Sequence, residues 1–143
     1  MKPQSMVTLA DLKQYDLIYV GTPYSKYPGG IESAFVDACK LTARLLRQGL
    51  KVYSPIVHCH PISTHGGIDP LDHSFWLAVD AVMMAKADAM IVAMMPGWEA
   101  SIGIRHEIQA FIEAGKPLFF MSPDDLSCVA ADPIERNDIL GAA

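Results

Sequence analysis

The chain has 143 residues, 51% of them hydrophobic and 19% charged, with a formal net charge of -5 at pH 7. This composition predicts one globular domain over residues 1–143 with a sizeable core, and it excludes a disordered chain. Since no dense Lys/Arg cluster, no disulfide framework and no membrane-length apolar run is visible, we expect a cytoplasmic protein without nucleic-acid or membrane partners.

The first half of the chain predicts short strands, one long helix and two loops. Gly49 follows the long helix as a typical C-cap residue. The predicted elements are a leader (1–15) with a helical turn around Leu9–Tyr15, a strand (Asp16–Gly21), a loop (Thr22–Gly30), a helix (Ile31–Gln48), a strand (Lys51–Ser54) and a polar, His-rich loop (55–71).

The second half continues the alternation of helix and strand. Its predicted elements are a helix (Asp72–Ala87), a strand (Asp88–Met95), the loop PGWE, a helix (Ala100–Gly115), a strand (Pro117–Met121) and a tail (122–143) with a short helix at Ile134–Leu140. This order predicts an α/β fold, a Rossmann-like or flavodoxin-like three-layer sandwich with a central parallel sheet of about four to five strands. Ligands bind such sheets beyond the carboxyl ends of the strands, so we expect the site in the loops there.

One carboxylate lies on the apolar side of a predicted helix. In ASIGIRHEIQAFIEAG, Glu107 falls within the same arc of the helical wheel as Ile104, Ile108 and Phe111. A buried carboxylate is costly unless it is paired, hydrogen-bonded or neutralised, which makes Glu107 a candidate for chemistry. The alternative is a structural Glu satisfied by a neighbouring backbone group or a Tyr hydroxyl.

A second carboxylate repeats this pattern in the preceding helix, DHSFWLAVDAVMMAKA. Asp80 shares a stripe with Trp76 and Leu77, although it could also be a core Asp that caps a neighbouring loop. Two buried carboxylates are what glycosyl transfer needs: one acts at the anomeric carbon and the other manages protons. Metal chemistry would use such a pair too, but neither helix has HExxH or DxD spacing.

The loop before the Glu107 helix offers further contacts for a ligand. Trp98 could stack on a flat ring, and Gly103 would allow close approach. Ser101 is either a plain helix N-cap or a donor to a ligand hydroxyl or phosphate. Glu99 is the alternative carboxylate.

The segment IVHCHPISTHGG suggests an alternative, a metal site, because histidine and cysteine are common metal ligands. A zinc or iron site would draw on His58, Cys59, His60, His65, Asp69 and His73. No two of its histidines have i,i+4 spacing, so we favour a loop that closes over the substrate, with a histidine touching it and no metal. Because His60 precedes Pro61, we expect it to be extended.

Four segments together carry a resemblance: IYVGTPYS, GLKVYSP, DAVMMAKAD and SIGIRHEIQAFIEAGKP. In their order and spacing, over Asp16–Met121, the chain resembles the nucleoside 2-deoxyribosyltransferase superfamily, and especially a bacterial, DUF1937-like branch of it. The resemblance implies that Glu107 is the nucleophile, that Asp80 is the acid/base or base-recognition carboxylate, and that Tyr19 orients Glu107.

The resemblance also bears on the reaction. Ser101 stands where transferases of the superfamily carry Asp, and it resembles the branch that hydrolyses deoxynucleoside 5′-monophosphates. The Arg which that branch uses after its first strand is missing here, and only Lys26 is near. The implied substrate contacts are Gly21, Tyr24, Ser25, His58, His60, Trp76, Trp98, Ser101 and Gly103.

We therefore expect cleavage or transfer at the N-glycosidic bond of a (deoxy)nucleoside or nucleoside 5′-monophosphate. The reaction would pass through a covalent glycosyl-Glu107 without a cofactor, with hydrolysis favoured over transfer. The alternatives are a non-catalytic nucleotide-sensing module and a metal-dependent hydrolase built on the histidines. The segment Trp76–Ala87 is apolar nearly all round, so it should be buried or lie at a subunit contact of a homodimer or homotetramer.

Overall fold

The computed structural model of the protein describes residues 5–131. The strands in this range are β1 (Ser5–Val7), β2 (Ile18–Gly21), β3 (Val52–Tyr53), β4 (Ala89–Ala93), β5 (Leu118–Met121) and β6 (Cys128–Ala130). The α-helices are α1 (Leu9–Leu12), α2 (Ile31–Arg47), α3 (Pro55–Gly66), α4 (His73–Lys86) and α5 (Ile102–Glu113), and a 3-10 turn at Trp98–Ala100 precedes α5. The helix predicted at Ile134–Leu140 lies outside the described residues.

The six strands of the described range form one sheet in the order β1-β6-β5-β4-β2-β3. The four strands from β5 to β3 are parallel, whereas β1 and β6 are antiparallel at the other edge. The expected α/β class and its parallel core are confirmed. Sequence analysis placed β1 in the leader and β6 in the tail and predicted neither strand, because each has only three residues.

Alternation along the strands builds a hydrophobic core on each face of the sheet. In β2, Ile18 and Val20 face one side, where they pack with Leu41 and Leu45 of α2. Tyr19 faces the other side and packs with the cluster formed by α5. Tyr19 of β2 therefore lies beneath α5, the helix that carries Glu107.

The loop predicted over 55–71 is wrong for most of its length, because the structure has helix α3 there. Ser54 caps this helix by accepting a hydrogen bond from the Val57 N–H, and Pro55 occupies the first turn, where a missing N–H is harmless. His60 is helical and not extended as expected. It is buried and hydrogen-bonded to Glu32 on α2, so a tertiary contact overrides the unfavourable Pro61.

Helix α4 lies on the surface of the chain. None of its residues is fully buried, and Phe75 and Val82 remain 42% and 61% exposed. The expectation that this apolar helix is buried is therefore wrong within a single chain, because its contacts include α5 but leave its outer side uncovered. Within residues 5–131, no helix combines the length and apolarity that crossing a bilayer requires.

Candidate functional site

A cleft of about 680 Å³, including its open mouth, lies at the carboxyl ends of the central strands. The chain moves outward from β2 to β3 and then returns to β4 on the other side of β2, so its direction across the sheet reverses at this point. The lining residues are Thr22, Tyr24, Ser25, Pro55, Ile56, Cys59, His60, Ser63, Pro70, His73, Trp76, Leu77, Asp80, Ser101, Gly103 and Glu107.

Glu107 projects from α5 into this cleft and is only 7% exposed. Burial raises the pKa of its carboxyl group to about 8. A hydrogen bond from the Tyr19 hydroxyl to Oε2 lowers this pKa, and the nearby charge of Asp80 raises it further. Burial and Glu107 raise the pKa of Tyr19, so its hydroxyl stays protonated and donates. Glu107 is thus a buried carboxyl group that is hydrogen-bonded to strand β2.

Gly21, two residues after Tyr19 in β2, lies close to the Glu107 carboxyl group. A Cβ at this position would lie 2.6 Å from Met90 Cε and 3.3 Å from Glu107 Oε1. A larger residue would therefore displace the flexible end of Met90 and press on the carboxyl group itself. Gly21 shapes the floor of the site, although it is not among the residues that line the cleft.

Asp80 enters the same cleft from α4. Its Oδ1 accepts a hydrogen bond of 3.5 Å from the Cys59 thiol of α3. Burial raises the pKa of Asp80, while this hydrogen bond and the charge of His58 act in the opposite direction. Burial and Asp80 raise the pKa of the Cys59 thiol to about 12, so it serves as a donor and not as a nucleophilic thiolate.

A third polar group, formed by Tyr24, His60 and Glu32, lies on the wall opposite α5. The Tyr24 hydroxyl is 2.6 Å from His60 Nδ1, and His60 Nε2 is 2.8 Å from Glu32 Oε2. The imidazole is buried and stacked on Phe35 at 4.4 Å between ring centroids. The chain of hydrogen bonds runs from an exposed carboxylate inward to a phenol that lines the cleft.

The sequence left two roles open for Ser101, a helix N-cap and a donor to a ligand. Its position at the start of α5 is compatible with both. Its Oγ caps the helix by accepting from the Ile104 N–H at 3.3 Å, and the residue also lines the cleft. The cap leaves the hydroxyl hydrogen of Ser101 available. Gly103 lies beside it in the lining.

Most residues singled out from the sequence meet in the cleft, and a few do not. Two of them lie elsewhere: His58 is exposed and packs against Tyr53, and Trp98 packs against Phe120 beside shallower neighbouring depressions. Tyr19 donates a hydrogen bond to Glu107 and Gly21 lies close to its carboxyl group, but neither residue lines the cleft. The residues that line the cleft as expected are Glu107, Asp80, Tyr24, Ser25, His60, Trp76, Ser101 and Gly103.

Sequence reasoning missed the contribution of helix α3 and of Glu32. With residues 55–71 taken as a loop, nothing indicated that Ser63 and Cys59 would share one helical face toward the cleft. The i,i+4 spacing of those two residues was the available signal. Glu32 carried none, because an exposed carboxylate in the first turn of a helix is usually explained by the helix dipole alone.

The histidine-rich segment does not assemble into a metal centre in the described part of the chain. Among residues 5–131, no three His, Cys, Asp or Glu side chains are grouped so as to hold one ion. Cys59 is hydrogen-bonded to Asp80, and His60 is hydrogen-bonded to Glu32 and Tyr24.

Fold and site together define the class: a mixed α/β domain with an acidic cleft at the carboxyl ends of its parallel strands. Residues 16–123 match the family described as "Domain of unknown function (DUF1937)". Because the match covers most of the chain, the protein belongs to this family. A comparison with curated proteins found no match.

The buried carboxyl group makes a prediction for stability. Between its ordinary pKa of 4.5 and its folded value of about 8, Glu107 binds a proton in the folded state and not in the unfolded state. Its stabilising contribution is therefore complete below pH 4.5 and is lost as the pH rises through 8, by at most about 1.4 kcal/mol per pH unit. We expect Glu107→Gln to flatten the dependence of the unfolding free energy on pH over this window.

Urea unfolding at pH 5 to 9 measures this dependence. Glu99→Gln is the matched control, since it removes an exposed carboxylate from the segment just before α5 and should keep the wild-type slope. An unchanged slope in Glu107→Gln would show that Glu107 does not titrate in this window.

Proposed function

We propose that the protein cleaves the N-glycosidic bond of a nucleoside through a covalent glycosyl-Glu107 intermediate. The observation that carries the proposal is the arrangement of Glu107: a buried carboxyl group that lines the cleft and accepts a hydrogen bond from the Tyr19 phenol at one oxygen. A second carboxyl, Asp80, completes the pair that glycosyl chemistry requires. The resemblance to the nucleoside 2-deoxyribosyltransferase superfamily and its Rossmann-like fold supports the same reading.

In this mechanism Glu107 reacts as the carboxylate, the form that predominates above its pKa of about 8, and its free oxygen, Oε1, attacks C1′ of the sugar. The C1′–O bond forms as the C1′–N bond breaks, and the base leaves with the bonding electron pair and a proton from Asp80. Burial favours the protonated form of Asp80, as this first step requires. Water then attacks C1′, gives its proton to the Asp80 carboxylate and releases Glu107.

The electrostatics of the cleft favour an uncharged nucleoside over a 5′-monophosphate. Within the described residues, neither lysine nor arginine lines the cleft, and Lys26 lies outside it. A phosphate would therefore find no cationic side chain in the cleft, and the carboxylate form of Glu107 would repel it. Hydrolysis remains favoured over transfer, since Ser101 stands where transferases carry Asp.

The direct test is release of free base from a panel of deoxy- and ribonucleosides and their 5′-monophosphates, followed by chromatography with and without an acceptor base. We expect release from a neutral nucleoside, and loss by roughly 10³-fold or more in Glu107→Ala, because the nucleophile is gone. Glu99→Ala, which removes an exposed carboxylate, should retain activity.

Three outcomes would contradict the proposal. Full activity in folded Glu107→Ala would show that Glu107 is not the nucleophile. Binding of a nucleoside without release of its base would favour the non-catalytic sensing module. Loss of release on chelation, with metal recovered from the protein, would favour the metal-dependent hydrolase.

We also propose that the protein is a homo-oligomer, a dimer or tetramer, that covers the outer side of α4. The support is the exposure of Phe75 and Val82 on a helix with few polar residues. Light scattering should show more than one chain per particle. Val82→Asp should dissociate it, whereas Val36→Asp, a similar change on α2, should not; a monomeric wild type would contradict this assembly.

A further inference from the structure

We propose that Tyr24 and Thr22 form a binding site for the sugar hydroxyls of the ligand, with His60 and Glu32 as positioning residues for the Tyr24 phenol. This inference rests on the proposed function and names the part of the substrate that the wall opposite α5 recognises. The ligand class is an uncharged sugar bearing free hydroxyl groups.

The Tyr24 hydroxyl is oriented by its partners. The Glu32 carboxylate accepts from His60 Nε2 at 2.8 Å, so Nε2 carries a hydrogen. In this tautomer Nδ1 accepts from the Tyr24 hydroxyl at 2.6 Å. The lone pairs of the Tyr24 oxygen are then available to accept a hydrogen bond from a group in the cleft.

This arrangement is held rigidly, which a binding group requires. The His60 ring is 5% exposed and stacked on Phe35, so it cannot follow a mobile phenol. Tyr24 itself belongs to the loop after β2 and lines the cleft. An acceptor fixed in advance loses little conformational entropy when a ligand hydroxyl donates to it.

Thr22 supplies a second, independent observation. Its side chain is only 4% exposed and lines the cleft, and within residues 5–131 its Oγ1 is a buried polar side-chain atom without a hydrogen-bond partner. Such an unpaired buried hydroxyl is costly and calls for a partner. A ligand hydroxyl bound between the two residues would accept from Thr22 and donate to Tyr24.

The charge around this site selects hydroxyl over phosphate. An acceptor oxygen backed by a carboxylate repels an anion, and the lysine and arginine side chains of the described range lie outside the cleft lining. A neutral hydroxyl satisfies both Thr22 and Tyr24 without bringing charge.

The chain contains a matched control for this hydrogen-bond system. The Tyr27 hydroxyl donates to Asp37 Oδ2 at 2.7 Å, which joins the same loop to the same helix α2 outside the cleft. Tyr27→Phe therefore removes a comparable tyrosine–carboxylate bond without touching the proposed site.

The experiment measures nucleoside affinity by calorimetry in a Glu107→Gln background, which prevents turnover. The probes are the four common 2′-deoxynucleosides, analogues lacking one sugar hydroxyl, and the free bases. We expect Tyr24→Phe and Thr22→Val each to weaken deoxynucleoside binding about tenfold, the scale of one hydrogen bond. The affinity for free bases should not change.

Positioning is tested by combining variants. Glu32→Gln should weaken binding alone but have little further effect in the Tyr24→Phe background, because it acts through the phenol. Thr22→Ser keeps the hydroxyl and should bind like its parent, and Tyr27→Phe should be neutral. Equal losses for nucleosides and free bases, or additive effects of Glu32→Gln and Tyr24→Phe, would overturn the inference.

These experiments distinguish failure of the hydroxyl-binding site from failure of the proposed catalytic function. Base release by the wild-type protein with unchanged affinity in Tyr24→Phe and Thr22→Val would overturn the hydroxyl site alone. Hydroxyl-dependent binding without base release would overturn the catalytic proposal alone. Absence of binding by every nucleoside would overturn the hydroxyl site.

Discussion

The burial of one carboxyl group beneath helix α5 is the constraint on which the rest of the site depends. Glu107 is taken out of water, and the hydrogen bond from Tyr19 joins it to the central strand β2. This bond opposes the rise in pKa that burial causes, and it fixes one oxygen while the other faces Gly21. The sheet thus sets both the position and the acidity of the group proposed to attack the sugar.

The other residues of the cleft surround the Glu107 carboxyl group with both apolar and polar side chains. Helix α4 contributes Asp80 and apolar side chains such as Trp76, and helix α3 contributes the thiol that binds Asp80. Tyr24 presents a phenol fixed from the outside by His60. In the proposed function, the apolar wall faces the base, Glu107 is the nucleophile at the centre and Tyr24 accepts hydrogen bonds from the sugar hydroxyls.

The sequence predicted the parallel strands and three helices because their apolar periodicity and glycine boundaries are strong local signals. Glu107 and Asp80 were found because each breaks its helical pattern, a departure that burial makes costly. Helix α3 could not be found this way: Pro61 and the histidines oppose a helix locally, and the stabilising contact with Glu32 is distant in sequence. The edge pairing of β1 with β6 likewise depends on tertiary contact alone.

The measurement that tests the central claim most directly is mass spectrometry of the protein trapped during reaction with a nucleoside it cleaves. Rapid acid quenching followed by peptide mapping should find a glycosyl group attached to the peptide that contains Glu107, and Glu107→Gln should show none. Base release without a glycosylated protein, or a glycosyl group on a different residue, would contradict the account.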